Sequence, residues 1–596
     1  MPSPKTPLDT LPCSLPTREI PPGIDPASIC QQAFDNKNIA KLCETDFIKH
    51  AIWRDMFSLS STLRTFYSAS AIVSIWRSLS RERGATAFEV KPGTASVKRQ
   101  GLASGPQVSW IEVSFTFSMA QPLEASCLGY LCLVFDDSDE KWKIWIMGTI
   151  LDQLPDFADV DRLDPVESSA RLDNVHGNRS LSDNSHQQHD YGCVIIGGGQ
   201  AGLCTAGRLQ ALGVSYICVD SNDRIGDSWR KRYDSSKLHT IRESSHLPFE
   251  RTFTPDYPQW LSKDDIADAF QAWSKKYGLT PHIWLSTTLE SGSWNEVTSK
   301  WTLHLQRKYH SDSGVQRSEF ITVMSSHVVL AIGVNCHVPL RPDYANKSEF
   351  QGHDIAEDML DAGLASVTVV QRSKTFVMPQ ENYMHWAETQ YNTDTDMKIC
   401  DIKCFGYPYA VNRNLGLLAS QLRQKYQPDL YSDLKKAGFL LEEHDDITRH
   451  LCERLGGHYM DVGASKKIAD GLIKMKTGCL PTSYTKTGLK FDDNTHLDAD
   501  VIIFATGFLA NMGDIVRKLF GDQVANRAGD CWGVDSEGEI KGAFKPTGQP
   551  GLWYMAGGIN HARFFSRFVA LHIKAALEGR PMPVFDAKQS SISPRL

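Results

Sequence analysis

A glycine-rich turn between a predicted strand and a predicted helix is the part of this sequence best suited to chemistry. Residues 191–196 form a short apolar run typical of a β-strand, and a helical pattern continues after the turn to Leu209. The turn itself, residues 197–202, reads Gly-Gly-Gly-Gln-Ala-Gly. Its first glycine permits a tight turn, its third lets the backbone approach a pyrophosphate, and its last lets the helix pack closely on the strand. The helix N-terminus then meets the anion, so the sequence predicts a bound dinucleotide.

A carboxylate stands where a dinucleotide would need one. A second predicted strand, residues 216–219, ends in Asp220. This aspartate follows the turn by about 20 residues, a distance at which a carboxylate can bind a ribose 2′-hydroxyl. The candidate cofactor-binding residues of this region are Gly197, Gly199, Gln200, Ala201, Gly202 and Asp220.

The residues after Asp220 resemble a known family. The segments that carry the resemblance are DRIGDSW at 223–229, YD at 233–234, LHT at 238–240, LPF at 247–249 and DYP at 256–258. They are similar to the flavin-containing monooxygenases of flavoprotein class B, which include the plant indole-pyruvate monooxygenases. Further on, residues 328–333 and 501–508 resemble the two strands, each ending in glycine, where that family's chain crosses between its nucleotide domains. Residues 551–558 and 563–567 resemble its last FAD-contacting strand and helix.

The resemblance implies both a fold and an activity. The fold is α/β, with two dinucleotide-binding (Rossmann-like) domains and a discontinuous FAD-binding domain. The activity is that of an FAD-dependent monooxygenase, an oxidoreductase that uses NADPH and O2 to oxygenate a small organic substrate through a C4a-hydroperoxyflavin. No metal is required.

Four further residues are candidates for the flavin site. His239 is the candidate catalytic residue, as a hydrogen-bond donor to the oxygenated flavin. Trp229 is a candidate wall of the flavin ring, and Thr506 and Gly507 are candidate FAD contacts. A structural histidine at 239 and a core tryptophan at 229 are the alternatives.

The second nucleotide domain departs from the family pattern. The resemblance predicts a motif FxGxxxHxxxY, then a strand and a second glycine turn. Here residues 350–352 run directly into a predicted helix, and Ala356 occupies the position of the motif histidine. About 30 residues that would form the first strand and its phosphate-binding turn are missing. Arg372, which follows a predicted strand over residues 367–370, is a candidate ligand of the 2′-phosphate of NADP.

Two functions therefore stay open. One is a working monooxygenase with altered reductant binding. The other is a catalytically impaired FAD-binding remnant, or a mis-spliced form of such an enzyme.

The N-terminal part of the chain has a different pattern. We expect helices over residues 28–57 and 63–77, a strand over 108–119, and a hairpin over 128–135 and 142–147. With the phrase Trp53-Arg54-Asp55, this α+β arrangement resembles the NTF2-like (SnoaL-like) family. A substrate-binding or dimerising module and an inert structural appendage are both open as its role.

The pattern divides the chain into seven segments. They are a polar tail (1–24), the NTF2-like domain (25–165), a linker (166–190), the first part of the FAD-binding domain (191–340), a truncated NADPH-binding domain with an insertion (341–480), the return of the FAD-binding domain (481–583) and a second tail (584–596). Because the linker is polar, we expect the N-terminal domain to fold alone.

Composition and net charge limit the classes of binding partner that we expect for this chain. Of 596 residues, 41% are hydrophobic and 22% are charged, which is typical of a folded soluble protein. A net charge of −7 gives no general attraction for nucleic acid or anionic lipid. We expect no signal peptide, because residues 1–22 contain no apolar core, and no apolar run is long enough to span a membrane. The 14 scattered cysteines suit a reducing compartment. We therefore expect a cytoplasmic protein without nucleic acid or membrane partners, and a homodimer through the NTF2-like domain is a further expectation.

Overall fold

The computed structural model describes residues 6–34, 39–101, 107–166, 189–310, 316–333, 353–426, 428–505, 507 and 512–586. These residues form a six-stranded sheet, a seven-stranded sheet and three sheets of two or three strands. Most of the predicted linker and the junction at residues 350–352 lie outside the described residues. In the ranges given, no helix combines the length and apolar character needed to cross a membrane.

The first sheet belongs to the N-terminal part of the chain. Its elements are α1 (Pro7–Thr10), α2 (Pro26–Phe34), β1 (Phe47–Met56), β2 (Leu63–Tyr67), α3 (Ala69–Glu82), β3 (Thr86–Gly101), β4 (Gln107–Met119), β5 (Ala125–Asp136) and β6 (Lys141–Gln153). The strand order is β2-β1-β6-β5-β4-β3, with β1 and β6 parallel and the other neighbours antiparallel. The predicted strand and hairpin are confirmed and are longer than expected.

Of the two helices predicted in this part of the chain, the first (28–57) is wrong over most of its length, and the second (63–77) is confirmed over residues 69–77. A helix covers only Pro26–Phe34 in the first, and Phe47–Met56 is a strand. The second begins as the strand Leu63–Tyr67, and its helix starts at Ala69. The last six residues of β1 are all buried, Arg54 and Asp55 among them, so both faces of that strand are covered and the alternation that identifies a half-exposed strand is absent.

Aromatic side chains fill the space between α3 and the first sheet. Trp53 packs against Phe66 with ring centroids 4.8 Å apart and against Trp76 at 5.2 Å. Phe88 stacks on Phe117 at 5.1 Å. The interior of this α+β unit is therefore a packed core.

The second sheet carries the glycine turn. Its first elements are β7 (His189–Ile196), α4 (Gln200–Ala211), β8 (Tyr216–Val219), α5 (Asp227–Arg230), α6 (Lys263–Lys276), β9 (Ile283–Trp284), β10 (Thr287–Asn295), β11 (Lys300–His310) and β12 (Gln316–Leu330). The order is β10-β11-β12-β7-β8-β9, and β12, β7, β8 and β9 are parallel. This confirms the predicted α/β architecture with parallel strands.

A smaller helical and mixed region follows. Its elements are α7 (His353–Asp361), β13 (Val367–Gln371), β14 (Phe376–Pro379), α8 (Gln380–Gln390), α9 (Met397–Phe405), α10 (Tyr409–Tyr426), α11 (Ser432–Lys436), α12 (Ile447–Arg449), β15 (His458–Asp461), α13 (Ala464–Ala469), β16 (Ile473–Thr477), β17 (Pro481–Tyr484), β18 (Gly488–Phe491) and β19 (His496–Asp498). Its strands form only two parallel pairs, β13 with β16 and β14 with β15, and one three-stranded antiparallel sheet.

The chain then returns to the second sheet. The last elements are α14 (Met512–Phe520), α15 (Asp522–Ala528), β20 (Leu552–Tyr554) and α16 (Ile559–Leu577). β20 pairs in parallel with the end of β12, and α16 packs on α4. The segments on either side of the smaller region thus complete one sheet.

Of the strand predicted over residues 501–508, the described residues 501–505 and 507 form only a single β-bridge, at Phe504. Residues 501–503 have no regular structure, and Val501 is 64% exposed. An apolar run predicts a buried strand only where a neighbouring strand can pair along it, and the described part of this segment joins none of the sheets.

The N-terminal unit is docked tightly on the rest of the chain. Phe57 stacks on Phe568 of α16 with centroids 4.5 Å apart, and Asp161 accepts hydrogen bonds from Arg567 at 3.0 and 2.7 Å. Val411 and Leu415 of α10 pack on the face of the first sheet turned away from α3. These contacts do not fit a domain joined by a polar linker alone. A second copy of the chain could reach this face only by displacing α10, and the homodimer stays a prediction.

Candidate functional site

The turn at residues 197–202 has the geometry that the glycine spacing predicts. Gly197 has a φ of +106°, and a Cβ there would lie 2.5 Å from the carbonyl oxygen of Ala331. A Cβ on Gly202 would lie 1.8 Å from the carbonyl oxygen of Gly197. Both positions therefore require glycine. A Cβ on Gly199 would meet nothing within 4 Å, so the protein leaves open space at the position expected to face a pyrophosphate.

The N-terminus of α4 can accept an anion. Gly199 is the N-cap and contributes no side-chain cap, and no acidic residue lies in the first turn. The first backbone N–H groups of a helix have no partner within the helix and carry partial positive charge. A phosphate group placed there would satisfy them, and Gln200, Ala201 and Gly202 supply these groups.

Asp220 lies directly beside the turn. Its Oδ2 accepts a hydrogen bond from the backbone N–H of Gly198 at 2.6 Å, and its Oδ1 accepts one from the backbone N–H of Asn222 at 2.7 Å. The carboxylate is partly exposed and keeps lone pairs for a further donor such as a ribose hydroxyl. The structure thus brings the turn and the predicted carboxylate together, and these residues fit the adenine-dinucleotide part of FAD.

A second helix begins at the same place. The side-chain amide of Gln200 donates to the carbonyl oxygen of Gly557 at 3.4 Å. Gly557 has a φ of +81°, and Gly558 is the N-cap of α16. The N-termini of α4 and α16 are therefore adjacent, although 357 residues separate Gln200 from Gly557.

Sequence reasoning missed His561, in the first turn of α16. Its ring lies 4.6 Å from Phe405 and 6.2 to 6.4 Å from Phe544, Phe565 and Trp532, measured between centroids. Burial lowers the pKa of His561 to about 4, so the imidazole is neutral near pH 7. The only sequence signal for it is its place just after the Gly-Gly turn.

Two of the aromatic residues around His561 have an unusual backbone conformation. Trp532 has a φ of +76° and Phe544 a φ of +68°, a conformation that bulky residues rarely adopt. Each costs on the order of 1–3 kcal/mol, and such residues cluster at ligand sites. Two residues with strained backbone therefore lie around the same histidine, beside the predicted cofactor turn.

The other two residues predicted for the flavin site, Trp229 and His239, lie in different surroundings. Trp229 is 6% exposed, belongs to the main hydrophobic core, and lies under the guanidinium of Arg232 at 4.1 Å. This position agrees with the core alternative. His239 lies near His458 of β15: burial, and then the nearby histidines His450 and His239, lower the pKa of His458 to about 4. Both roles of Trp229 and His239 toward a flavin stay predictions.

The segment 501–508, which resembles the second crossing between nucleotide domains, gives few observations about the cofactor site. Thr506 lies outside the described residues. Gly507 is described, with a φ of +81°, and a Cβ added there would meet no atom within 4 Å. Because residues 501–505 form only an isolated β-bridge and join none of the sheets, the structure gives no support for an FAD contact at Gly507.

The region expected to bind NADPH lacks an open phosphate turn in its described residues. Arg372 is exposed and follows β13, which pairs only with β16. A strand-to-helix turn with glycine does occur between β15 and α13, but Asp461 closes it: its Oδ1 accepts hydrogen bonds from the N–H groups of Gly463 at 3.0 Å and Ser465 at 3.2 Å. A carboxylate of the chain already occupies the place of an anion, so these residues do not fit a pyrophosphate.

Comparison with known proteins finds similarity to flavin enzymes. No protein-family model matches it. It is 24% identical over 340 residues to the probable indole-3-pyruvate monooxygenase YUCCA10 of Arabidopsis thaliana, covering 54% of this chain and 82% of that protein. It is 23% identical over 413 residues to the FAD-containing monooxygenase EthA of Mycobacterium tuberculosis, covering 62% and 78%. A solved structure of an oxidised steroid monooxygenase bound to NADP matches with 14% identity and a TM-score of 0.45, over 66% of this chain and 87% of the other.

The curated relatives agree with the predicted enzyme class and with FAD as a cofactor. The chain is similar to monooxygenases, which are oxidoreductases, and one of these relatives is named as containing FAD.

Proposed function

We propose that the chain is an FAD-dependent monooxygenase that uses NADPH and O2 to oxygenate a small organic substrate. The observation that carries this proposal is the open turn at residues 197–202 with Asp220 hydrogen-bonded to its backbone. The similarity to indole-3-pyruvate and FAD-containing monooxygenases supports the reaction class.

The residues that would hold FAD are those of the turn and of the end of β8. The N–H groups at the start of α4 would bind the pyrophosphate, and Asp220 would accept hydrogen bonds from the ribose. When bound, FAD supplies the redox chemistry that activates O2.

The chain's own residues then shape the surroundings of the flavin. The aromatic rings around His561 would keep water from the adjacent space, and the neutral imidazole can donate or accept one hydrogen bond there. His239 remains the candidate donor to the reacting oxygen.

A second function, an FAD-binding protein that NADPH reduces poorly, is favoured by one observation. The glycine turn between β15 and α13 is closed by Asp461, and Arg372 stands exposed after a two-stranded sheet. Arg372 would address only the 2′-phosphate, and two missing charge-assisted hydrogen bonds to a pyrophosphate would weaken binding by about a hundredfold or more.

Anaerobic stopped-flow reduction separates the two functions. Purified protein is expected to be yellow, and dithionite is expected to reduce its flavin. Saturation at micromolar NADPH with rapid bleaching would establish the monooxygenase with a working reductant site. A slow rate of flavin bleaching that rises linearly with the NADPH concentration would establish the impaired form, provided that dithionite reduces the flavin fully. Protein without flavin even after incubation with FAD would contradict both.

For the N-terminal unit we propose an NTF2-like fold with a structural role. Three features support this choice over a substrate-binding module: the aromatic filling of the interior, the cover of α10 on the outer face, and the ion pair of Asp161 with Arg567. Each uses a surface that a substrate or a second copy would need.

A further inference from the structure

A single carboxylate of the N-terminal unit binds both helices whose N-termini meet at the predicted cofactor turn. The Oδ1 atom of Asp161 accepts hydrogen bonds from Arg208 Nη1 of α4 at 2.6 Å and from Arg567 Nε of α16 at 3.0 Å. Its Oδ2 atom accepts one from Arg567 Nη2 at 2.7 Å. The two helices therefore share one counter-charge, which comes from the other unit of the chain.

The two arginines occupy equivalent places on their helices. Arg208 lies eight residues after Gln200, which begins α4. Arg567 lies eight residues after Ile559, which begins α16. At about 1.5 Å per residue, each arginine is about 12 Å from the start of its helix. Since Gln200 also contacts Gly557 just before α16, the two helices run side by side in the same direction.

This arrangement brings positive charges together at two places along the helix pair. The side chains of Arg208 and Arg567 are 5% and 2% exposed. Burial lowers the pKa of Arg208, Asp161 opposes that shift, and the nearby Arg567 adds to it. The parallel direction also places the partial positive charges of the two N-termini next to each other. Because like charges repel more strongly away from water, the pair needs an anion at both places.

Arg208 is the arginine that depends more on Asp161. In the described part of the chain, Asp161 is the one acidic residue paired with Arg208, and the Nε atom of Arg208 has no hydrogen-bond partner. Arg567 has a second acidic neighbour, Asp152, at 3.5 Å. Loss of the Asp161 charge would therefore leave a buried cation of α4 facing another on α16.

The N-terminal unit holds Asp161 in place. Val160, the preceding residue, is fully buried in the core, and its carbonyl oxygen accepts a hydrogen bond from Arg208 at 2.6 Å. The side-chain amide of Gln153, at the end of β6, donates to Asp161 Oδ2 at 3.1 Å. The backbone N–H of Asp161 donates to Asp159 Oδ1 at 2.8 Å. A carboxylate fixed in this way sets the distance between the two helices that it binds.

We propose that Asp161 is a positioning residue of the FAD site, through which the N-terminal unit sets the spacing of the N-termini of α4 and α16. This inference rests on the proposed binding of FAD at residues 197–202. The pyrophosphate would offset the positive charge at the N-termini, and Asp161 offsets it farther along the same helices. Because packed interiors transmit displacements, a change of spacing at the two arginines reaches the turn.

Titration of the full-length apoprotein with FAD, followed by flavin fluorescence, tests the proposal. In Asp161→Asn the dissociation constant of FAD should rise at least about tenfold, because the two arginines lose their shared counter-charge. Asp161→Asn/Arg208→Met also removes one of the two cations, and the constant should return to within about threefold of the original value. A contact that only attaches the N-terminal unit predicts the opposite, since the double variant loses more of the interface.

The matched control breaks another ion pair between the N-terminal unit and the rest of the chain. Glu537 accepts a hydrogen bond from Arg64 Nε at 2.7 Å, and its bonds within the described residues do not involve α4 or α16. Glu537→Gln should therefore bind FAD like the original protein. Circular dichroism and urea unfolding of each apoprotein show that it has folded and how much stability it has lost.

Three results would overturn the proposal while FAD binding by the original protein stands. They are an unchanged FAD affinity in Asp161→Asn, an equal loss in Glu537→Gln, and a double variant that binds FAD more weakly than Asp161→Asn. If Asp161→Asn does not fold, the double variant decides, and a loss of about tenfold or more from the original affinity would overturn the proposal. An original protein that binds no FAD would contradict the proposed function and this inference together.

Discussion

Arg54 and Glu539, 485 residues apart in the chain, form a bidentate ion pair in which both side chains are buried. The Nε and Nη2 atoms of Arg54 each lie 2.7 Å from one carboxylate oxygen. The third nitrogen of Arg54, Nη1, donates to the backbone carbonyl oxygens of Phe405 and Tyr407. One arginine on β1 thus joins the first sheet, the end of α9 and the segment before β20.

Breaking this pair should destabilise the protein strongly. Glu539→Ala leaves a buried guanidinium without its counter-charge, and the free energy of unfolding should fall by about 3–5 kcal/mol. Replacing both partners, as Arg54→Met/Glu539→Leu, should recover much of that loss because no buried charge remains. Urea unfolding measures both, and Arg162→Ala at an exposed site is the control. A loss below about 1 kcal/mol for Glu539→Ala would show that the pair is dispensable.

Cutting the linker should not separate the two parts of the chain. A protease site placed within residues 170–185 should yield two fragments that elute together on size exclusion, because Phe57 remains stacked on Phe568 and Arg54 on Glu539. Flavin should elute with the complex. Two fragments that migrate separately after cleavage would instead support an independently folding N-terminal domain.

Flavin binding should depend on the open space at Gly199. In Gly199→Val the added side chain fills the position next to the helix N-terminus, so the protein should purify with little or no flavin. The control is Gly93→Val, since a Cβ at Gly93 also meets nothing within 4 Å and the residue lies on β3. The absorbance of flavin per protein measures the outcome, and full flavin content in Gly199→Val would remove the assignment of the turn.

Acid should destabilise the protein partly through His572. Burial, and then the nearby His327, lower the pKa of His572 to about 3, and its Nε2 has no partner in the described residues. Below pH 6.5 the unfolded chain binds a proton there that the folded protein does not, so stability is complete above pH 6.5 and falls as the pH drops. The slope is at most about 1.4 kcal/mol per pH unit.

His572→Phe removes this difference in proton binding. Between pH 7.5 and pH 5, the variant should lose about 2 kcal/mol less stability than the original protein. His304→Phe, at an exposed position on β11, should leave the pH dependence unchanged. If the free energy of unfolding falls by the same amount between pH 7.5 and pH 5 in the original protein and in His572→Phe, the prediction is wrong.

The dinucleotide turn could be predicted because its requirements are local. The backbone at Gly197 needs a positive φ, and Gly202 lies against the carbonyl of Gly197, five residues away. Such requirements are encoded in the spacing of a few neighbouring residues. Asp220 is also local, because one helix and one strand bring it back to the turn.

Residues whose environment comes from distant parts of the chain could not be predicted in this way. The sequence of β1 lacks the alternation of a half-exposed strand, because α3 covers one face of the strand and α10, from more than 350 residues later, covers the other. The sequence at 501–508 predicts a strand, yet its described residues join none of the sheets. His561 carries no motif, and its aromatic surroundings come from three separate segments.

The sequence by itself determined the α/β architecture, the glycine turn with its carboxylate, and the class of enzyme to which the chain is similar. Only the tertiary structure decided that the N-terminal unit is locked to the rest by Arg54 and Glu539, and that Asp461 closes the glycine turn of the smaller region. The physical reason is that a turn's conformation depends on sterics between near neighbours, whereas burial and ion pairing depend on which distant surfaces meet.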